Sequence, residues 1–351
     1  MYPEADRNIY GPMLQALHAS EITDEVASAT FTLIKRRKAL SELSERAFKV
    51  SQGVEQYEDL REFIQDNLLE ETNETTSTFD LPRITTDLEE LLEQSYSEQG
   101  LRWRLDCLNK SLGSLRDGDF GFIFARPETG KTTFLASETT SMLGGCTRPI
   151  VWLNNEEQGS KVMLRVIQSY FGLRLEQLLA NPKRYNELFN QQTKDRFHLF
   201  DAATISRRDV EAIIKELSPG LVVYDQLDKI KGFSNDREDL RLGSIYQWAR
   251  ELAKGSHAGI GVCQADGTAE GVRYLTMEHV ANAKTAKQAE ADWILGIGKS
   301  HQDGTENIRY LNISKNKLTG DKDSIPDMRH GRFEVFIRPE VGRYEDIVKY
   351  D

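Results

Sequence analysis

The sequence predicts an α/β fold, with a mainly parallel sheet covered by helices on both faces and preceded by a small all-helical N-terminal region. Three observations predict it. From about Gly100 onward, apolar runs of strand length alternate with segments of helical spacing, the pattern of strands buried on both faces. The stretch from Phe120 to Thr133 reads as strand, tight loop and helix in direct succession. Residues 1–70 carry helical periodicity and no β-rich run. There are no internal repeats.

In chain order, Met13, Leu14 and Leu17 form one apolar stripe. Phe31, Leu33 and Ile34 lead into the basic turn Lys35-Arg36-Arg37-Lys38, which reads as a solvated helix face. Leu40, Leu43 and Phe48 then recur at helical spacing through Ala39–Val50. Gly53 breaks the pattern, and Leu60, Phe63, Ile64 and Leu68 rebuild it in a short acidic helix. The segment 1–70 is therefore a helical bundle or hairpin. Residues 71–99 are a linker. Its first part is polar, acidic and aperiodic, and its second is an amphipathic helix over 86–96. Thr86-Asp87-Leu88-Glu89 has capping-box spacing, and Leu88, Leu91 and Leu92 make a stripe that must be buried on its own domain or on a neighbouring copy.

Residues 100–351 form the α/β domain. The expected strands are Phe120–Phe124, Ile150–Leu153, Phe197–Phe200, Leu221–Tyr224, Ile260–Cys263, Trp293–Ile297 and Ile308–Ile313. Helical patterns over Lys161–Tyr170, Arg208–Leu217 and Leu242–Ala253 separate them.

Composition excludes several classes. The chain has 351 residues, 39% hydrophobic and 29% charged, with a net charge of −11. That describes a soluble globular protein without a coat for nucleic acid, leaving room only for a basic lining in a pore or groove. No apolar run reaches membrane-span length, and the N-terminus lacks signal-peptide order. Cys107, Cys146 and Cys263 are odd in number and widely spaced, so neither a disulfide framework nor a zinc ribbon is expected, and the reading is a reducing cytoplasm.

The chemistry centres on Ala125-Arg126-Pro127-Glu128-Thr129-Gly130-Lys131-Thr132-Thr133. A loop ending Gly-Lys-Thr between strand and helix is a nucleoside triphosphate site: its backbone amides cradle phosphate oxygens. Gly130 lets the backbone approach, Lys131 reaches the β- and γ-phosphates, and the Thr132 hydroxyl ligates Mg²⁺. Asp225 ends the apolar strand Leu221–Tyr224, where a carboxylate holds Mg²⁺. Glu156 and Glu157 follow another strand, and either can act as the general base for water. Gln264 ends a third and can report a γ-phosphate. Lys315 and Lys317 follow the strand Ile308–Ile313 and could complete a phosphate site in this subunit or the next.

With these residues in view, the part from about Gly100 onward resembles the RecA-like ATPase domain of the DnaB-type replicative helicases, including the helicase half of bacteriophage helicase–primases. Gly100-Leu101, Leu105–Asn109 and Leu115–Asp119 are similar to that family's approach to its phosphate loop, and the Ala-Arg-Pro start is a family habit that explains the absent first glycine. The resemblance implies Glu156, nine residues before Arg165, as the catalytic acid, Asp225 as the Mg²⁺-associated residue and Gln264 as the strand-end sensor. Lys315-Asn316-Lys317 resembles the hairpin whose Lys-x-Arg reaches the neighbouring subunit's ATP. Lys317 stands where the family has arginine and lacks its planar fork; Arg329 and Arg332 are further candidates. The helical region matches only the later half of the family's collar domain.

What the resemblance implies is an ATP- and Mg²⁺-dependent homo-oligomer, a hexameric ring that moves 5′→3′ on single-stranded DNA and unwinds forked duplex. Primase, polymerase or loader would be its partners, and the host cytoplasm its location if it is phage-encoded. Helix 86–96 would dock on the next subunit. Two loops would line the channel: Lys229–Leu240, with Lys229 and Lys231, and Asp266–Gln288, with Arg273, Lys284 and Lys287. The alternatives are a recombinase-like or clock-protein-like ATPase that does not unwind, and a nucleotide-switched loader or scaffold.

Overall fold

The structure is a computed structural model that describes residues 24–64, 87–88, 100–201, 204–233, 237–282, 284–318, 320 and 328–347. The chain divides into two compact units, Met1–Arg83 and Ile84–Asp351. The first contains α1 (Asp24–Ser51) and α2 (Tyr57–Ile64). The basic residues 35–38 lie within α1, which runs through them unbroken. Gly53, with φ +72°, follows its end. Arg46 ties the two helices: its guanidinium bonds Glu55 at 2.8 Å and lies over the Phe63 ring at 4.7 Å. The Met13–Leu17 stripe, the acidic linker and helix 86–96, apart from Asp87 and Leu88, lie outside the described residues.

The second unit is built on one nine-stranded sheet. Its strands are β1 (Phe120–Ala125), β2 (Ile150–Asn154), β3 (Phe197–Asp201), β4 (Leu221–Asp225), β5 (Ala258–Gln264), β6 (Trp293–Gly298), β7 (Ile308–Asn316), β8 (Arg332–Arg338) and β9 (Arg343–Asp346). The order is β3-β2-β4-β5-β1-β6-β7-β8-β9. The first six are parallel, and β6 through β9 pair antiparallel. All seven expected strands are present. The strand expected to stop at Ile313 runs on through Asn316, and β8 and β9 are additions to the expected set.

The helices are α3 (Asp106–Leu112), α4 (Lys131–Gly145), α5 (Gly159–Phe171), α6 (Leu175–Leu179), α7 (Pro182–Thr193), α8 (Arg207–Leu217), α9 (Glu238–Ser256) and α10 (Lys284–Glu290). The twofold alternation of the strands divides the core. Ile123, Trp152 and Val223 face one cluster with Phe134, Val166 and Trp293. Phe122, Phe124, Val151 and Tyr224 face the other with Val210, Leu242 and Tyr246. Each large side chain taken fully from water contributes about 2–3 kcal/mol, so both faces of the central strands need their helical cover. Among the described residues no helix is long and apolar enough to cross a membrane.

Candidate nucleotide site

A parallel sheet gathers its ligand-binding groups beyond the C-terminal ends of the strands. β1 ends at Ala125, β2 at Asn154, β4 at Asp225 and β5 at Gln264. The register pairs Ala125 with Gln264 and Asn154 with Asp225. One edge of the sheet therefore carries the loop, both candidate acids, the aspartate and the glutamine.

The loop turns through left-handed backbone at Glu128 (φ +59°) and Gly130 (φ +107°). A Cβ on Gly130 would lie 2.6 Å from the Ile337 side chain and 2.9 Å from the Tyr344 hydroxyl, so packing as well as φ requires glycine. Thr129, Lys131, Thr132 and Thr133 are buried, while Pro127 and Glu128 are exposed. The first amides of the 15-residue α4 sum with the helix dipole into an anion cradle. The Lys131 ammonium donates to the Ala125 carbonyl at 3.3 Å and the Arg126 carbonyl at 3.4 Å. Burial pushes its pKa down, and the Glu156 and Asp225 carboxylates oppose that shift. Arg126 leaves the loop to pair with Glu270 at 3.1 Å, and Glu270 meets His301 at 2.9 Å.

Asp225 is only 1% exposed, and neither carboxylate oxygen has a geometrically satisfactory hydrogen-bond partner among the described residues. Burial first, and the Glu156 charge second, raise its pKa to about 7, with Trp152 and Lys131 pulling the other way. A buried carboxylate left like this is costly, and its chemistry suits a divalent cation. The Thr132 hydroxyl, the other candidate ligand, donates to Glu157 at 3.4 Å.

The two acids differ. Glu157 is engaged by Arg165 at 3.1 Å as well as by Thr132. Glu156 is exposed and receives the Gln226 amide at 2.7 Å. Gln226 is itself in left-handed backbone directly after Asp225, so it links the aspartate strand to Glu156. Asp201, at the end of β3, holds the turn behind these acids. It accepts from Asn154 at 2.9 Å and from the Gly159 amide at 2.8 Å. Gln226 and Asp201 were not legible as site residues. Their only signal is a position at or just after a strand end.

Lys315 and Lys317 stand elsewhere. The Lys317 amide donates to the Asp292 carbonyl at 2.8 Å, and the Asp292 amide to that of Phe120 at 2.7 Å. They thus lie at the first residue of β1, and the loop follows its last. Lys315 donates to the carbonyls of Gln288 and, at 3.4 Å, Ala289 at the end of α10, and burial lowers its pKa. Arg329 donates to the Asn316 carbonyl at 3.2 Å. Arg332 lies over the Tyr274 ring at 5.4 Å.

Of the expected DNA contacts, Lys229 and Lys231 are exposed. Lys229 donates to the Asn155 carbonyl at 3.2 Å, and the Lys231 backbone pairs with that of Ser206. Arg273 is exposed, bonds Gln302 and covers Tyr310. Lys284 opens α10. Lys287 differs from expectation. Its side chain is fully buried, with the ammonium 2.6 Å from Asp228 and 3.0 Å from the Ala281 carbonyl. Asp228 also accepts from Tyr246 at 3.0 Å. A cation so enclosed is unavailable to a strand and instead ties the turn after β4 to α10.

Residues 87–265 match the sequence profile of the AAA domain family. No curated protein matches the sequence. The structure is similar to the solved ATPase domain of a phage helicase, with a TM-score of 0.62 at 16% identity over 74% of this chain and 95% of that one. It is also similar to a DnaB-like replicative helicase whose interactions with primase were described, with a TM-score of 0.61 at 15% identity over 97% of this chain and 84% of that one. These likenesses give the fold, a RecA-like sheet. The matched profile spans just over half of the chain and contains the phosphate loop, both acids, Asp225 and Gln264, and the chain belongs to the AAA domain family of ATPases.

Proposed function

We propose that the chain is a ring-forming ATPase that moves 5′→3′ along single-stranded DNA and unwinds the duplex ahead, with ATP held between neighbouring copies. One observation carries this reading. Lys315 and Lys317 adjoin the start of β1, about 15–20 Å of strand from the loop at its end, so they serve no phosphate of their own chain's nucleotide. Copies arranged head to tail would bring this end of one sheet to the loop of the next, and a head-to-tail arrangement that closes is a ring. The likeness to the ATPase domain of a phage helicase and to a DnaB-like helicase supports it.

In this reading Lys131 and the loop amides orient the β- and γ-phosphates. Thr132 and Asp225 would hold Mg²⁺, which when bound supplies positive charge to the phosphoryl oxygens. Glu156, with only an amide on one oxygen, takes the proton of the attacking water. Glu157 stays committed to Arg165. Gln264 senses the γ-phosphate, and Lys317 from the next copy meets charge developing on it, more weakly than a forked arginine would. Lys229, Lys231, Arg273 and Lys284 contact the DNA backbone. A hexamer, and primase, polymerase or loader partners, belong to the same reading.

The test is displacement of a strand from a forked duplex, with either tail removed in controls, beside ATP hydrolysis with and without single-stranded DNA. ATP-dependent displacement that needs the 5′ tail is the expected result. DNA-stimulated hydrolysis without displacement would favour a recombinase-like ATPase, and absence of stimulation a nucleotide-switched scaffold.

A further inference from the structure

We infer that Arg309 and Tyr344, on the antiparallel strands β7 and β9, are positioning residues that set the phosphate loop for nucleotide. The Arg309 Nε donates to the Thr129 carbonyl at 2.6 Å, and its Nη1 to the carbonyls of Glu306 and Ile308, each at 2.8 Å. The Tyr344 hydroxyl donates to the Gly130 carbonyl at 3.3 Å, which also accepts the Phe134 amide at 2.9 Å. Two consecutive peptide units of the loop are therefore gripped from the sheet by their oxygens.

In a trans peptide the C=O and N–H point in opposite directions. All described peptides are trans. Holding the Thr129 oxygen against β7 aims the Gly130 amide away from it, and holding the Gly130 oxygen does the same for the Lys131 amide. These are amides a phosphate cradle needs. The loop does not hold that shape unaided, because Glu128 adopts left-handed backbone that disfavours a non-glycine residue by about 1 kcal/mol or more.

The arrangement is costly unless it serves the loop. Arg309 is 5% exposed and forms no ion pair among the described residues, so its charge rests on carbonyl oxygens alone. An uncompensated buried cation is unfavourable, and an aliphatic side chain would pack there more cheaply. Behind a phosphate site the same charge adds positive potential where the anion binds. Tyr344 is fixed independently: its ring is buried edge-on to Phe134 at 5.3 Å, and its amide donates to Ser137 at 3.0 Å.

The inference rests on nucleotide binding by the loop and not on unwinding. The experiment is calorimetric titration of ATP and ADP with Mg²⁺ into the full chain and into Arg309→Met, Arg309→Lys and Tyr344→Phe, with KM, kcat and unfolding temperature measured alongside. Arg309→Met is expected to raise Kd and KM about tenfold for both nucleotides, with kcat within twofold. Tyr344→Phe, which removes only a hydroxyl, should raise them two- to threefold. Arg309→Lys keeps a donor and the charge and should recover most of the loss. Should Arg309→Met fail to fold, the other two variants still decide. Lowered unfolding temperatures with unchanged Kd and KM would reduce both residues to ordinary packing and overturn the inference. Loss of strand displacement alone, with these affinities as expected, would touch only the helicase reading.

Discussion

The two ends of β1 bury carboxylates in opposite ways. Beyond its C-terminal end, Asp225 is 1% exposed and lacks a satisfactory partner for either oxygen. At its N-terminal end, Asp292 is 6% exposed and fully engaged. It accepts the Phe120 amide at 3.1 Å, bonds Arg250, and has the Lys317 ammonium at 3.9 Å. Burial is similar and the chemistry differs. A carboxylate closed by a guanidinium and an N–H organises its surroundings. One left open costs stability until a cation arrives. The difference separates the end of the sheet built to receive a ligand from the end built to hold structure and present cations outward.

The largest effect that tests this division is at the loop. Lys131→Ala should reduce ATP binding and hydrolysis by about 100-fold or more, since a charge in contact with the transferring phosphoryl group is lost. Filter binding and phosphate release measure it, and retained turnover would move the reactive centre elsewhere. Next comes the opposite end acting through a second copy. Lys317→Ala should slow hydrolysis roughly tenfold. Mixing Lys317→Ala with Lys131→Ala subunits should restore part of it, because some interfaces then pair an intact loop with an intact Lys317. Absence of rescue would confine each copy's chemistry to itself.

Stability should divide the ends in the reverse sense. Arg250→Met leaves Asp292 buried with its main counter-charge gone, which costs about 3 kcal/mol. Asp225→Asn removes an unmatched charge and should leave stability unchanged or raised, while abolishing Mg²⁺-dependent hydrolysis. Urea unfolding in EDTA compares the two, and equal losses would mean that Asp225 is as well paired as Asp292.

Much of the ligand end is legible in sequence because its residues are local. A strand, Gly130-Lys131-Thr132 and a helix follow one another within 26 positions, and Asp225 and Gln264 sit at the ends of apolar runs. The braces behind it are not local. β8 carries alternating Phe333, Val335 and Ile337, but its register with β7 is fixed across the sheet. β9 is four residues long and mostly polar. Nothing near Arg309 indicates that it meets a carbonyl 180 positions away. Lys287 shows the same limit. As a lysine in a loop–helix segment it reads as solvent-facing, and only the fold brings Asp228 beneath it. Composition gives the charge of a residue, and long-range pairing decides whether solvent ever sees it.

The smallest effect is also the most diagnostic, since the two ends should answer pH with opposite signs when Mg²⁺ is absent. Burial raises the Asp225 pKa to about 7, against an unfolded value of about 3.9. Between those values the folded state holds a proton that the unfolded state has lost. Asp225 therefore contributes stability at low pH that disappears as pH rises towards 7. His257, at the N-terminal end of β5, is depressed to about 4 by burial and then by Arg148. Between about 6.5 and 4 the unfolded imidazole binds a proton that the folded one refuses, so its contribution is lost as pH falls. Buried Glu138, also raised to about 7, acts in the same direction as Asp225 and is common to every variant compared. From pH 6.5 to 4.5 in EDTA, Asp225→Asn should therefore lose stability more steeply than the parent protein, and His257→Asn less steeply, each by on the order of 1 kcal/mol. Saturating ADP and Mg²⁺ should erase the first difference, because an ionised Asp225 is then matched by a cation, and leave the second intact. Slopes that change together on adding Mg²⁺ would show that the two ends are not electrostatically separate.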